Sequence, residues 1–150
     1  VSTLKETLRV DLTTAMKSRD ELRTATLRMV LAAVSAEEVA GKEARELADD
    51  EVQAVLRREA KKRREAAEAF ASAGRTEQAA RERAEGDVVA AYLPAQLEDA
   101  DLAALVADVI TRTGASGMRD MGRVMGAVSG EVAGRAEGGR VAAEVRRQLG

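Results

Sequence analysis

The chain has 150 residues and a mass of 15.9 kDa, room for one ordinary domain or two small ones with a buried core. Its 24 Lys and Arg against 26 Asp and Glu give a formal charge of -2, which excludes a uniformly basic nucleic-acid binder but not a local basic patch. Cysteine and histidine are absent, so disulfides, thiol nucleophiles, histidine bases, zinc ribbons and His-ligated iron are excluded together.

Apolar residues make up 45% of the chain, yet Phe70 and Tyr92 are its only aromatics and Ile110 its only isoleucine. Alanine and arginine, both strong helix formers, are the commonest residues, and strand formers are scarce. The composition predicts an all-α protein with thin, alanine-rich interfaces. No run approaches the ~18 apolar residues that a membrane span needs, and Val-Ser-Thr-Leu-Lys-Glu has no signal-peptide pattern. A soluble, cytoplasmic protein is expected.

In chain order, Ser2 or Thr3 is placed to cap a first helix with Leu4, Leu8, Leu12 and Ala15 on one stripe. Asp20 caps a second, with Leu27, Val30, Leu31 and Val34 inward, fraying near Gly41. Asp49 or Asp50 opens a long third helix with Val52, Val55, Leu56, Ala60, Ala67 and Phe70 inward, stopped by Gly74. Thr76 caps a fourth, with Ala80, Ala84, Val88 and Tyr92 inward and Gly86 as an unfavourable insertion. The only proline, Pro94, predicts that this helix ends near Tyr92.

Charge and glycine content change at the same place. Residues 86–111 carry five acids and no base, residues 112–150 seven arginines against four acids, and most glycines lie at or beyond Gly114. A domain boundary is therefore expected at Pro94: a four-helix bundle over 1–93 and a small three-helix tail over 94–150. In the tail, Glu98-Asp99 begins a helix carrying Leu102, Leu105, Val106, Val109 and Ile110 to Gly114. The next starts at Gly117–Asp120 with Met121, Val124, Met125 and Val128 inward, and the last runs from Gly138 through Val141, Val145 and Leu149.

Two features invite a functional reading. The run Arg57-Arg58-Glu59-Ala60-Lys61-Lys62-Arg63-Arg64 either grips phosphates or forms the solvated face of a long helix, laced by i,i+4 pairs such as Lys61–Glu65 and Arg64–Glu68. Gly122, Gly126, Gly130, Gly134 and Gly138 recur every fourth residue, with Arg119, Arg123, Arg135 and Arg140 interleaved. On one helix the glycines would leave a bare stripe for close approach of a helix or a nucleic-acid backbone. In the favoured broken reading, Gly122 and Gly126 lie inside a helix, Gly130 and Gly134 turn the chain, and Gly138-Gly139 offer N–H groups at a helix start. Ser116, Ser129 and Thr113 have no histidine partner, no phosphate loop exists, and Asp49-Asp50 and Asp99/Asp101 read as helix-start charges. No catalytic residues, metal ligands or cofactor site emerge.

Tyr92-Leu93-Pro94-Ala95-Gln96-Leu97 resembles the hinge of the GatB/YqeY family, and the likeness continues through Asp120-Met121-Gly122-Arg123-Val124-Met125-Gly126 and Gly134-Arg135-Ala136-Glu137-Gly138-Gly139-Arg140-Val141. Thr24-Ala25-Thr26-Leu27-Arg28 and Lys61-Lys62-Arg63-Arg64-Glu65-Ala66 look like the stand-alone YqeY branch. The resemblance spans essentially the whole chain. It implies a helical bundle with a tail domain, the pair that also ends the B subunit of glutamine-dependent aminoacyl-tRNA amidotransferase, where the tail contacts tRNA. Carbon–nitrogen ligase chemistry with glutamine as amido-N-donor belongs, by that resemblance, to parts of the larger enzyme that have no counterpart here. Arg123 stands where the family often has Lys, Glu137 where it has Asp, and Val128-Ser129-Gly130 where a bulkier apolar pair and proline are usual.

The function expected is therefore a non-catalytic tRNA-binding or tRNA-associated accessory protein. Arg119, Arg123, Arg135 and Arg140 would contact RNA, Gly122, Gly126, Gly138 and Gly139 would allow close backbone approach, and Tyr92 and Pro94 would form the hinge. Stacking aromatics are missing, so recognition would be by shape and phosphate position. The competing readings are a protein-docking module and a helper in transamidation alongside amidotransferase or other translation proteins.

Overall fold

The computed structural model describes residues 2–150, and all regular structure among them is helical: α1 (Thr3–Lys17), α2 (Glu21–Glu38), α3 (Asp49–Ser72), α4 (Thr76–Ala90), α5 (Asp99–Thr113), a 3-10 turn (Met118–Asp120), α6 (Met121–Val132) and α7 (Gly138–Leu149). No helix is long and apolar enough to cross a membrane among these residues. Contacts cluster into two compact units that meet in sequence between Leu93 and Pro94.

In the first unit, Ser2 Oγ accepts from the Lys5 N–H at 3.0 Å and donates to Asp49, whose carboxylate also accepts from the Leu4 N–H at 3.1 Å. Asp49 thus completes the start of α1 while standing at the start of α3. Asp20 caps α2 through the Arg23 N–H, as its side chain predicts. At α3 the cap position is Ala48, whose N–H is taken by the Glu51 carboxylate at 3.2 Å. Leu8, Leu27, Val30, Val34, Leu47, Val52, Val55, Leu56 and Val89 fill the interior. Phe70, expected inward, is only partly buried.

Lys5 and Glu38 form a nearly buried ion pair at 2.8 Å between α1 and α2, and Glu38 also accepts from the Leu47 N–H. Arg63, in the middle of the basic run, turns into the α3–α4 contact, 3.2 Å from Glu82 and 3.6 Å from Glu85. Only part of that run is a solvated face; Lys61–Glu65 is present on it at 3.8 Å.

For α4 the expectations hold in part. The helix ends at Ala90, close to Tyr92 as expected, and Val88 and Tyr92 pack against the interior; but Arg75, not Thr76, holds the cap position, Ala80 is exposed, Ala84 is half-buried, and the fully buried positions are Ala79 and Val89. Gly86 lies on the face that α3 packs against, beside Glu82 and Glu85, which reach Arg63; a Cβ there would make an ordinary contact at 3.5 Å with the Arg63 Cβ.

The second unit has a valine-rich interior: Val106, Val109, Val124, Val128, Val132, Val141 and Val145, with Leu97, Leu102 and Ala136. Gly114 ends α5 in the left-handed region, at φ 68. Gly130 does not turn the chain as expected. Val124, Val128 and Val132 form an i,i+4,i+8 line whose burial carries α6 past it. The turn falls instead on Ala133 and Gly134, at φ 50 and 81.

Candidate nucleic-acid interface

The 3-10 turn and α6 present one solvent face through Arg119, Gly122, Arg123, Gly126 and Gly130, at the three- and four-residue spacing of a single helix side. A Cβ built on Gly122, Gly126 or Gly130 would meet nothing within 4 Å, so none of these glycines is needed for contacts the chain makes with itself. Arg119 is exposed and has no hydrogen-bond or ion-pair partner among the described residues. Arg123, also exposed, is 3.3 Å from Asp120, a surface pair worth little in water. The Ser116 N–H, donated at 3.0 Å, and then the charges of Arg123 and Arg119 hold the Asp120 carboxyl below its ordinary value of 3.8. Asp120 is therefore ionised, fixes the turn before α6 through the Ser116 N–H, and pairs with Arg123 while leaving Arg119 open.

The other two candidate arginines lie beyond the far end of α6, which spans about 18 Å along its axis. Arg140 is only part-exposed; its guanidinium donates to the Leu97 carbonyl at 2.9 Å and to Asp99 at 2.8 Å. Arg135 accepts from the Leu97 N–H through its own carbonyl at 2.7 Å, and its Nε donates to the Ala95 carbonyl at 3.4 Å. Together they stitch the strap 95–97 to the α6–α7 connection. The structure thus separates the four arginines into an open pair, Arg119 and Arg123, and a pair engaged with the strap. Gly138 and Gly139 form the exposed first turn of α7, next to Glu137.

Tyr92 does not hang free in the turn after α4. Its hydroxyl donates to Asp11 on α1 and accepts from Arg23 on α2 at 3.1 Å. Partial burial, then the Asp11 hydrogen bond and charge, push the phenol up to about 12. Leu93 packs against the first interior, and the chain leaves that unit at Pro94.

Among the described residues no group of three or more Asp and Glu is arranged to hold a metal ion. Sequence reasoning passed over Arg146, exposed on α7 with no partner among the described residues. Its signal was the inward line Val141, Val145 and Leu149, which leaves position 146 facing out.

The family model described as YqeY-like protein matches residues 5–149, nearly the whole chain and both units. The chain belongs to the YqeY-like family. No curated protein matches it. The YqeY-like match runs through both the Tyr92 anchor and the α6 face, so these two features lie inside the region that defines the family.

Proposed function

We propose that this YqeY-like chain is a non-catalytic RNA-associated accessory protein that contacts folded RNA, of the tRNA class, through the open face of α6. The observation carrying this reading is the combination of two exposed arginines, Arg119 and Arg123, with three glycines whose helix face is bare. Guanidinium groups beside side-chain-free backbone suit phosphate contact, and the missing aromatics leave little means to stack bases. Arg135 and Arg140 support the strap that leads into α5 and serve this reading as framework. Membership of the YqeY-like family and the likeness to the amidotransferase tail support the choice of partner.

The test is binding of bulk tRNA across a salt series by wild type and by Arg119→Ala/Arg123→Ala. Loss of two phosphate contacts should make the log–log salt slope shallower by about 1.4–1.8. Equal slopes would count against the α6 face. A second reading draws on the same bare glycines: a partner helix docks on Gly122, Gly126 and Gly130, as close packing of helices favours small residues. Under it, Gly126→Leu abolishes partner capture while Arg119→Ala leaves it intact.

A further inference from the structure

The Thr24-Ala25-Thr26-Leu27-Arg28 segment divides cleanly between two environments. Thr26 and Leu27 are buried, and the Thr26 hydroxyl donates to the Leu22 carbonyl at 2.8 Å. Thr24, Ala25 and Arg28 face the other way, into an open groove of about 420 Å³ at the α1–α2 turn, where Met16, Arg19 and Glu21 complete the lining. None of the three belongs to the interior cluster of the first unit.

Four features of this groove are chemically uncommitted. Arg19 has no ion-pair partner among the described residues, and Arg28 touches only the Met16 sulfur, at 3.8 Å. The Thr24 hydroxyl bonds to nothing among the described residues, unlike those of Thr7, Thr13, Thr14 and Thr26, each of which donates to a carbonyl of its own helix. Met16 is an exposed large apolar side chain, one of few among the described residues. Arg19 also holds φ at 58, a left-handed conformation that glycine would adopt with no steric cost. Ala133 holds a similar φ of 50 in the turn after α6, so in both places the conformation accompanies a tight reversal of the chain.

Among the side chains lining the groove the two arginines outnumber the one acid, Glu21, while the adjacent Asp20 carboxylate accepts the Arg23 N–H at 3.0 Å and keeps its charge. Because Asp20 already closes the start of α2, any anion here would be held by side chains and not by the helix end. The groove is open to solvent and has more room than a bare inorganic anion needs.

We infer that this groove binds a nucleotide unit, free or within a strand, with its phosphate between Arg19 and Arg28, the Thr24 hydroxyl donating to a phosphate oxygen, and the apolar part of the ligand against Met16 and Ala25. Guanidinium–phosphate contacts supply the charge-assisted bonds, and the methionine supplies an adaptable apolar wall. The site lies on the first unit and does not depend on the α6 reading.

The experiment is amide NMR of the whole chain titrated separately with inorganic phosphate, adenosine monophosphate and a ten-nucleotide single-stranded RNA. Wild type should give saturable shifts at Thr24, Ala25 and Arg28 with the mononucleotide and weaker ones with phosphate. Arg19→Gly relieves the backbone while removing the guanidinium, so its spectrum should otherwise be unchanged; it and Arg28→Gln should each weaken binding about tenfold, the scale of one hydrogen bond to a charged group. RNA binding tighter than the mononucleotide at the same residues identifies a strand as the source, and equal binding identifies the free nucleotide. Arg119→Ala/Arg123→Ala should leave the groove response unchanged, which separates this site from α6. No saturable shift at the groove with either nucleotide ligand, or undiminished affinity in Arg19→Gly/Arg28→Gln, overturns the inference.

Discussion

Across α1–α4 the interior mixes leucine with valine, and two of the ion pairs that cross between helices are sheltered: the Lys5 and Glu38 side chains are 8% and 13% exposed, and those of Arg63 and Glu82 are 21% and 16%, whereas Arg58–Glu37 lies at the surface. Across α5–α7 the interior is mostly valine, and the corresponding bridge, Arg112 to Glu131, is 51% and 42% exposed. Charge has a different job in each. Sheltered pairs fix which helix faces meet, because removing one partner strands the other out of water. Pairs at the surface are screened and weak, so Arg119 and Arg123 are available to other molecules at little cost to the fold. β-branched valine and exposed glycine also make poorer helices, so α5–α7 depend on burial more than on local preference.

The largest effects should come from the interiors. Leu56→Ala, at a fully buried position of α3, is expected to cost about 2–5 kcal/mol, and Val124→Ala, at a fully buried position of α6, about 2 kcal/mol. The second unit is smaller, so the lesser loss should do proportionately more damage there. Hydrogen exchange should show protection lost across α5–α7 and retained across α1–α4 in Val124→Ala. Uniform loss would erase the distinction between the units.

Acid sensitivity should come next. The Lys5 hydrogen bond, then the Leu47 N–H, hold the Glu38 carboxyl below its ordinary value of 4.5. A carboxylate lowered on folding contributes its full stability above the unfolded value and loses it as pH falls through the folded one. Melting temperature should therefore drop below pH 4.5 more steeply in wild type than in Glu38→Gln, which starts lower and changes less. Parallel curves would show that the pair contributes nothing.

Glycines give a smaller effect of opposite sign in two places. Gly126→Ala and Gly130→Ala should each raise stability by about 0.5–1 kcal/mol, since the new methyl meets nothing within 4 Å. Gly114→Ala should lower it by about 1–2 kcal/mol, because φ there is 68. If the α6 face docks a partner, the stabilised Gly126→Ala protein should also bind less well. The smallest perturbation needs no mutation: tyrosinate absorbance from Tyr92, the sole tyrosine in a chain without tryptophan, should appear near pH 12 in the folded protein and near 10 in denaturant. Ionisation near 10 in both would remove the Asp11–Tyr92–Arg23 clamp.

The starts of α1 and α2 were legible because Ser2 and Asp20 are side chains whose local hydrogen bonds declare a helix beginning. The register of α4 was not. In an alanine-rich helix many faces look equally apolar, and the face that packs carries carboxylates that reach Arg63 nineteen or more residues away. The length of α6 was misread for a related reason: Gly130 looks like a stop, but the burial of Val132 outweighs its helix penalty. In the candidate interface, the outward direction of Arg119 and Arg123 followed from the inward line Met121, Val124, Met125 and Val128. That Arg140 is engaged by Leu97 and Asp99 depends on contacts more than forty residues distant, which periodicity does not encode. Nor does anything in Lys17-Ser18-Arg19-Asp20 announce a left-handed arginine, since the usual glycine or asparagine signal is missing.

The central claim is that the open cations of α6, and not the strap-bound ones, contact RNA. The most direct measurement is the salt dependence of tRNA binding for wild type, Arg119→Ala/Arg123→Ala and Arg140→Ala, with each variant first checked for folding by hydrogen exchange. The account predicts a slope shallower by about 1.4–1.8 in the α6 variant. For Arg140→Ala it predicts an unchanged slope with faster exchange around Leu97 and the start of α5. Binding that is negligible for wild type at ~50 mM salt, where phosphate contacts are strongest, or a slope that changes only in Arg140→Ala, would contradict it.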